Sequence, residues 1–133
     1  MPDDIHQDLS QYRLSQAKDM VRAAGVLHAA GEYKSGNNRA YYAMFHAARA
    51  LLALERVDYK KHSAVISHFQ REYVHTGRFS REYSDMLMNA SAIRNSSDYD
   101  DFYLASRDET AQQIENARRF LDAVEAYILK HTK

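Results

Sequence analysis

Apolar residues recur every three or four positions along most of the chain, which is the spacing of amphipathic helices. The strongest run is residues 39–54, RAYYAMFHAARALLAL, which is apolar over most of a helical circumference. A helix of this kind belongs in the interior of a protein. We therefore predict a central helix with one wide buried face (Tyr41, Met44, Phe45, Ala48, Leu51 and Leu52) and a seam of small residues (Ala40, Ala43, Ala47, Ala50 and Leu54).

A long helix is predicted before the central one, from about residue 9 to residue 30, because its apolar residues follow the same three- and four-residue spacing. Gly31 suits the left-handed conformation that ends many helices. Residues 35–38, SGNN, offer several N-cap candidates for the central helix.

Three more helices are predicted after the central one. The third ends at Gly77, the fourth begins after Ser80, and the fifth begins after the capping-box pattern S-x-x-E of residues 106–109. The scarcity of proline and glycine, one and four in the chain, favours helix throughout. We predict an all-α fold, an antiparallel up-and-down bundle of about five helices, with residues 1–133 as a single domain.

Composition excludes several classes of protein. The formal net charge is zero, so no overall field attracts nucleic acid or an anionic membrane. The chain has no cysteine, which excludes disulfides and thiol catalysis and fits a reducing compartment. No apolar run approaches the ~20 residues that a membrane-spanning helix needs. We expect a cytoplasmic protein without a membrane association.

One cation interrupts the apolar stripe of the fourth predicted helix. Arg94 follows Leu87 by seven positions and Ala90 by four, so it falls on their face. A guanidinium there is costly unless it is paired or lies at an open cleft. Two interpretations follow from the residues: an ion pair with Asp98 one turn later, which is the commoner arrangement, or a site for an anion.

Three segments together resemble the HEPN family (higher eukaryote and prokaryote nucleotide-binding domain). RAYYAMFHAARALL resembles its second helix, KKHSAVISHF and REYVHTGRF resemble the segment that follows, and IRNSSDY stands where the family carries its signature. The resemblance covers residues 39–100. It implies a helical bundle that is usually a homodimer. Many members are metal-independent endoribonucleases, often toxins beside a minimal nucleotidyltransferase antitoxin.

The signature segment departs from the family's ribonuclease motif, which is an arginine followed after four to six residues by a histidine. Arg94 matches the arginine, and Asn95 matches the polar residue that often follows it. Tyrosine and two aspartates occupy positions 99–101, where the histidine is expected. The chain therefore resembles a branch with R-x-x-x-D-Y in place of the motif, and the candidate catalytic residues are Arg94, Asn95 and Tyr99.

The missing histidine bears directly on the chemistry. Cleavage of RNA through its 2′-hydroxyl needs a group that accepts a proton near pH 7, which histidine does and tyrosine does poorly. Asp98, Asp100 and Asp101 also add charge that repels phosphate. Arg94 can still bind a phosphate or stabilise an oxyanion. We predict an RNA- or nucleotide-binding cleft with weak or absent cleavage.

Lys60, Lys61 and His62 form a basic group at the start of the third helix, which is a second candidate for phosphate contact. The ordinary alternative is that these side chains are simply exposed to solvent at the beginning of a helix. Tyr99 and Tyr103 flank the signature outside the regular stripes and offer stacking surfaces for bases. The predicted RNA- or nucleotide-binding residues are Arg94, Asp98, Lys60, Lys61 and His62.

The histidines and aspartates do not have metal-site spacing. No H-x-x-x-H pair occurs, and the acidic residues 98–101 lack the glycine and distal glutamate of a calcium loop. We predict no metal and no cofactor, and we expect surface or capping histidines. His46 is expected to be a satisfied core residue, although it could replace the missing base if its ring faces Arg94.

Two hypotheses of different class follow. In the first, the protein is the toxin-like component of a toxin–antitoxin-type pair with a minimal nucleotidyltransferase, forming a homodimer with Arg94 near the two-fold axis. In the second, it is a non-catalytic docking module for a nucleotidyltransferase. An RNA-cleavage assay separates the two.

Overall fold

A computed structural model describes residues 2–132, with side chains from residue 5 onward. Over this range the chain folds into five α-helices and no strand, which confirms the predicted all-α bundle. The helices are α1 (Pro2–Ala29), α2 (Tyr33–Leu54), α3 (His62–Phe69), α4 (Arg81–Tyr99) and α5 (Arg107–His131), and a π-helical turn (Gln70–Val74) continues α3.

Helix α2 is the centre of the bundle and packs against each of the other four helices. The residues predicted to be inaccessible are so: Tyr41, Phe45, Ala48, Leu51 and Leu52 are all at most 5% exposed. The alanine seam is also buried and brings neighbouring backbone close. For example, Ser10 Oγ of α1 donates a 2.8 Å hydrogen bond to the carbonyl of Ala50.

Helix α2 begins six residues before the predicted start, at Tyr33, with Glu32 as its N-cap residue. The expected N-cap candidates lie inside the helix, and two of them, Gly36 and Asn37, face its neighbours. A Cβ on Gly36 would stand 2.8 Å from Thr110 Cγ2 of α5. The Asn37 amide donates to Ser97 Oγ of α4 at 3.2 Å. Glycine and asparagine are therefore needed here for close packing between helices.

The first helix also extends beyond its prediction, since α1 begins at Pro2 and ends at Ala29. Gly31 has the expected left-handed conformation, with φ of 80°. Ser80 is the N-cap residue of α4, although its side chain makes no capping hydrogen bond. Ser106 Oγ caps α5 by accepting from the Glu109 N–H at 3.0 Å.

The third predicted helix is α-helical only as far as Phe69 and then widens into the π-helical turn. This turn places Tyr73 where its hydroxyl donates to Glu55 at the end of α2. His68 Nε2 lies 3.2 Å from the same carboxylate, and Tyr59 contacts His68 Nδ1 at 3.0 Å. His68 is 5% exposed, so the expectation of a surface or capping histidine was wrong at this position.

Within the described range, each helix is too short or too polar to cross a membrane.

Candidate functional site

Arg94 lies near the C-terminal end of α4, and its side chain is 18% exposed. Its Nη2 donates to the Tyr42 hydroxyl of α2 at 2.9 Å, and Nη1 donates to Asn95 Oδ1 at 3.2 Å. Its Nε lies 3.1 Å from Asp98 Oδ2, an ion-pair distance, although the N–H is not aimed at that oxygen as a hydrogen bond requires. The predicted pair with Asp98 is thus present, and the guanidinium remains partly open to solvent.

Three tyrosine rings surround this guanidinium. Arg94 Cζ lies 5.6 Å from the ring centroid of Tyr41, 5.2 Å from that of Tyr42 and 5.8 Å from that of Tyr99. Cations at such distances from an aromatic face are attracted by its quadrupole. Tyr99 is 74% exposed, so its ring is free to stack on a base while remaining next to the cation.

The carboxylate of Asp98 joins Arg94 to the first turns of α2. Asp98 Oδ2 accepts a 2.9 Å hydrogen bond from Asn38 Nδ2. The other two aspartates of the acidic segment have different roles: Asp100 Oδ1 accepts from the Phe102 N–H at 3.1 Å, and Asp101 is exposed. The negative charge in contact with Arg94 is therefore that of Asp98.

The basic group of the third helix meets the Arg94 site through two tyrosines. His62 Nδ1 lies 3.0 Å from the Tyr41 hydroxyl, and its ring centroid lies 5.7 Å from that of Tyr42. Tyr41 and Tyr42 also contact Arg94, so the structure brings together two candidate sets that the sequence left apart.

His62 and Lys60 line a cleft of about 500 Å³ beside this site, together with Phe45, Arg49, Asp58 and Tyr59. Lys61 is exposed and is the N-cap residue of α3. The cleft thus offers an aromatic wall and several cations next to Arg94, which is a suitable surface for a nucleotide or a single RNA strand.

Burial and nearby cations shift two of the site's protonation equilibria. Desolvation lowers the pKa of His62 below its usual value, and the charges of Arg94 and Arg49 lower it further. Desolvation raises the pKa of Tyr41 to about 12, against the opposing effect of Arg94. At pH 7 the imidazole is therefore neutral and the phenol keeps its proton.

His46 is not the satisfied core histidine that the sequence predicted. It is half-buried beside Tyr42, with ring centroids 6.0 Å apart, and its Nδ1 is enclosed without a hydrogen-bond partner among the described residues. Desolvation lowers its pKa, and Arg49, Arg13 and His62 add to this effect. The imidazole stays neutral because protonation would bury a second charge among these cations.

One carboxylate links two arginines next to the cleft. Asp58 contacts Arg13 Nη2 and Arg49 Nη2, each at 3.2 Å. Burial alone would raise the pKa of Asp58, but the Tyr59 N–H and both guanidiniums together hold it below its usual value. Arg13 is 6% exposed and also donates to the Arg49 carbonyl at 3.0 Å. The contacts of Arg13 with Asp58 and Arg49 therefore hold α1 against α2.

Sequence reasoning missed Tyr42 and Asn38, which fix Arg94 and Asp98 from α2. A signal for Tyr42 was present, since Tyr42, His46 and Arg49 follow at four and three positions and interrupt the apolar circumference on one side. Tyr103 is not one of the three tyrosines around Arg94, and its hydroxyl donates to Glu109. No three histidine, aspartate or glutamate side chains converge within the described part of the chain.

The chain is similar in sequence to a known family and to several known proteins. A sequence model of the HEPN domain matches residues 10–127. A protein of Thermotoga maritima named "UPF0332 protein" is 30% identical over 122 residues, 92% of each chain. A protein of Methanocaldococcus jannaschii named "Putative toxin MJ0605" is 30% identical and aligns with 91% of this chain and 89% of its own length. A second protein of that organism, named "Putative toxin MJ0142", is 26% identical and aligns with 87% of this chain and 79% of its own length.

Proposed function

The chain belongs to the HEPN domain family, and we propose that it binds RNA or a nucleotide at Arg94 as the toxin-like component of a toxin–antitoxin-type pair. The names of the two Methanocaldococcus relatives support the toxin-like role. The proposed partner is a minimal nucleotidyltransferase, which is what the family resemblance implies.

The binding proposal rests on one observation: the side chains of Arg94 and His62 both pack against the ring of Tyr42. Arg94 Cζ lies 5.2 Å from the centroid of Tyr42, and the ring of His62 lies 5.7 Å from it. A guanidinium that is already oriented by a hydroxyl donates to phosphate oxygens at low entropic cost. The neighbouring Lys60 and Lys61 extend this positive surface, and Tyr99 adds a stacking face.

Cleavage by this site is proposed to be weak or absent. Position 99 holds an exposed tyrosine where the family's histidine is expected, so the usual base is missing. Loss of a general base alone typically forfeits about 10²–10⁴ in rate. Asp98 competes with phosphate for Arg94, which adds to the effect.

A second candidate function is that of a docking module for the nucleotidyltransferase without activity of its own. It is favoured by the apolar side chains in the segment after α4, where Phe102 is 94% and Leu104 is 89% exposed. Under this alternative, substitution of Phe102 would weaken binding of the nucleotidyltransferase. Substitution of Arg94 would leave RNA binding unchanged.

The test is equilibrium binding of a fluorescent single-stranded RNA and of labelled mononucleotides, with fluorescence anisotropy as the measurement of binding. Arg94→Ala should weaken binding at least about tenfold, because a hydrogen bond to a charged phosphate contributes roughly 1.5–3 kcal/mol. Arg118→Ala, which removes an exposed arginine from α5, is the matched control. Equal affinity of the two variants and the wild type would sink the proposal.

A further inference from the structure

His62 combines three properties that a proton acceptor for RNA cleavage requires. It is oriented by a hydrogen bond, since its Nδ1 lies 3.0 Å from the Tyr41 hydroxyl. It lines the 500 Å³ cleft, so a ligand can reach its ring. It shares Tyr42 with Arg94, the group expected to hold phosphate.

The ring of His62 is held by aromatic side chains of α2. It stacks on Phe45 with centroids 4.1 Å apart and an interplanar angle of 31°. It also packs edge-on against Tyr42, at 86°. Together with the contact from Nδ1 to Tyr41, these rings leave little freedom for rotation, and preorganisation of this kind favours catalysis.

We propose that His62 Nε2 is the general base for RNA cleavage at this site, with Tyr41 as its positioning residue and Arg94 as the group that stabilises the phosphate. This inference rests on the proposed function, because it requires RNA to bind at Arg94. It assigns the weak cleavage proposed for that site to a base other than the family's histidine. The base is thus contributed by the start of α3 and not by the signature segment of α4.

The contact with Tyr41 permits the tautomer that the reaction needs, because a phenol oxygen accepts as well as donates hydrogen bonds. When Nδ1–H donates to the phenol oxygen, the lone pair of Nε2 is free to accept a proton. Desolvation, Arg94 and Arg49 lower the pKa of His62, so that this neutral form prevails at pH 7. The phenol of Tyr41 also stays neutral, because burial raises its pKa to about 12.

His46 is a weaker candidate, although it lies on the same side of α2. Its Nδ1 is enclosed without a partner among the described residues, so nothing fixes its tautomer. Proton uptake there would place a new N–H without an acceptor close to Arg49 and Arg13. His46 also does not line the cleft that His62 and Lys60 share.

The chemical step is an internal transfer within the RNA. His62 Nε2 takes the proton of a 2′-hydroxyl, and the 2′-oxygen forms a bond to the adjacent phosphorus. The bond from phosphorus to the 5′-oxygen breaks, and that oxygen takes a proton from water. The products are a 2′,3′-cyclic phosphate and a 5′-hydroxyl, and imidazolium returns its proton to solvent. Arg94 stabilises the charge on the non-bridging oxygens.

The experiment measures cleavage of a fluorescent single-stranded RNA by the purified full chain in EDTA, at micromolar protein. His62→Gln should lower the rate about 10²-fold or more. The rate is measured with RNA saturated by protein, so that a change in RNA affinity does not contribute to the loss. His75→Gln, the same substitution at an exposed histidine after the π-helical turn, should cleave like the wild type. Imidazole added to His62→Gly should restore part of the rate, which a merely structural role of His62 would not allow.

Two measurements on the wild type keep the inference testable if the variants unfold. A substrate with 2′-deoxyribose at the cleaved position should be bound but not cut. The rate should rise with pH through the titration of His62 and then level off. The charged and titratable groups that face this ring or share its cleft are Arg94 from α4, Arg49, His46, Tyr41 and Tyr42 from α2, and Asp58, Tyr59 and Lys60 from the segment before α3.

The outcomes separate this inference from the proposed function. RNA binding that depends on Arg94 without any detectable cleavage would overturn the role of His62 and leave the binding proposal intact. Cleavage that His62→Gln does not slow would do the same. Absence of RNA and nucleotide binding would remove both.

Discussion

Arg94 and Asp98 are one helical turn apart on α4, and Arg94 Nε lies 3.1 Å from Asp98 Oδ2. The carboxylate is held in place from α2 by Asn38, so it cannot simply turn away into solvent. An incoming phosphate must therefore compete with a fixed internal anion. This contact makes the site less attractive to RNA than a free guanidinium would be.

Asp98→Asn should strengthen RNA binding by about two- to fivefold, since partly exposed ion pairs of this kind contribute up to about 1 kcal/mol. Fluorescence anisotropy at constant salt measures the change. Asp101→Asn removes the same charge without touching Arg94 and should have a smaller effect. If the double variant with Arg94→Ala keeps the gain, the explanation through Arg94 is wrong.

Tyr99→His should raise the rate of RNA cleavage at least about tenfold, because it places an imidazole where the family's histidine is expected. The ring at this position lies 5.8 Å from Arg94 Cζ and is exposed, so the substitution should fold without strain. Gel separation of a labelled RNA in EDTA follows the reaction. Adding Arg94→Ala should abolish the gain, and Tyr103→His, at a tyrosine that contacts Glu109 and is not one of the three around Arg94, should give none.

Gly36→Ala should destabilise the fold because its Cβ would stand 2.8 Å from Thr110 Cγ2, a fully buried methyl group. Gly25→Ala is the matched control, since nothing lies within 4 Å of its Cβ and the helix gains from alanine. We expect the free energy of unfolding of the first variant to be lower than that of the second by about 1–3 kcal/mol. Urea denaturation followed by circular dichroism measures both, and equal values would contradict the packing argument.

Stability should fall as the pH decreases below about 6.5, where unfolded histidine takes up a proton. Burial and nearby cations lower the pKa values of His46 and His62 in the folded chain, so the unfolded state binds more protons in this range. Denaturation midpoints between pH 7.5 and pH 5 measure the loss. His46→Gln should make this decline shallower, and an unchanged decline in this variant would contradict the explanation.

A homodimer with Arg94 near the two-fold axis can be tested by cross-linking, since the chain has no cysteine of its own. Asn95→Cys, at an exposed position beside Arg94, should form a disulfide-linked dimer under mild oxidation. Glu115→Cys, on the exposed face of α5, should stay monomeric on a non-reducing gel. Light scattering that shows only monomer at micromolar concentration would refute the dimer.

Periodicity was sufficient to predict α2 as the central helix, because Tyr41, Phe45 and Leu52 are buried by the same spacing that marks them in the sequence. Periodicity and residue preference did not predict the start of α2. Gly36 and Asn37 are residue types that often cap a helix, but here they lie inside α2 and contact α5 and α4. Such preferences are small, and tertiary packing overrides them.

The candidate site was predictable only in part. Arg94 and Asp98 are close in sequence, so helical geometry predicted their pair. The approach of His62 to Arg94 depends on Tyr41 and Tyr42, which bridge α3 and α4 from the central helix. No local pattern contains that information, because it arises from how three helices are placed relative to one another.

The π-helical turn at Gln70–Val74 has a consequence for the length of the chain. Its wider ring accommodates one more residue than an α-helical turn, and this register lets Tyr73 reach Glu55 while the Tyr73 carbonyl accepts from the Phe79 N–H at 2.8 Å. Deletion of a single residue here would allow a regular α-helix, and Tyr73 would then have to reach Glu55 across a turn that is shorter by one residue. In this segment the surrounding contacts select the number of residues as well as their identity.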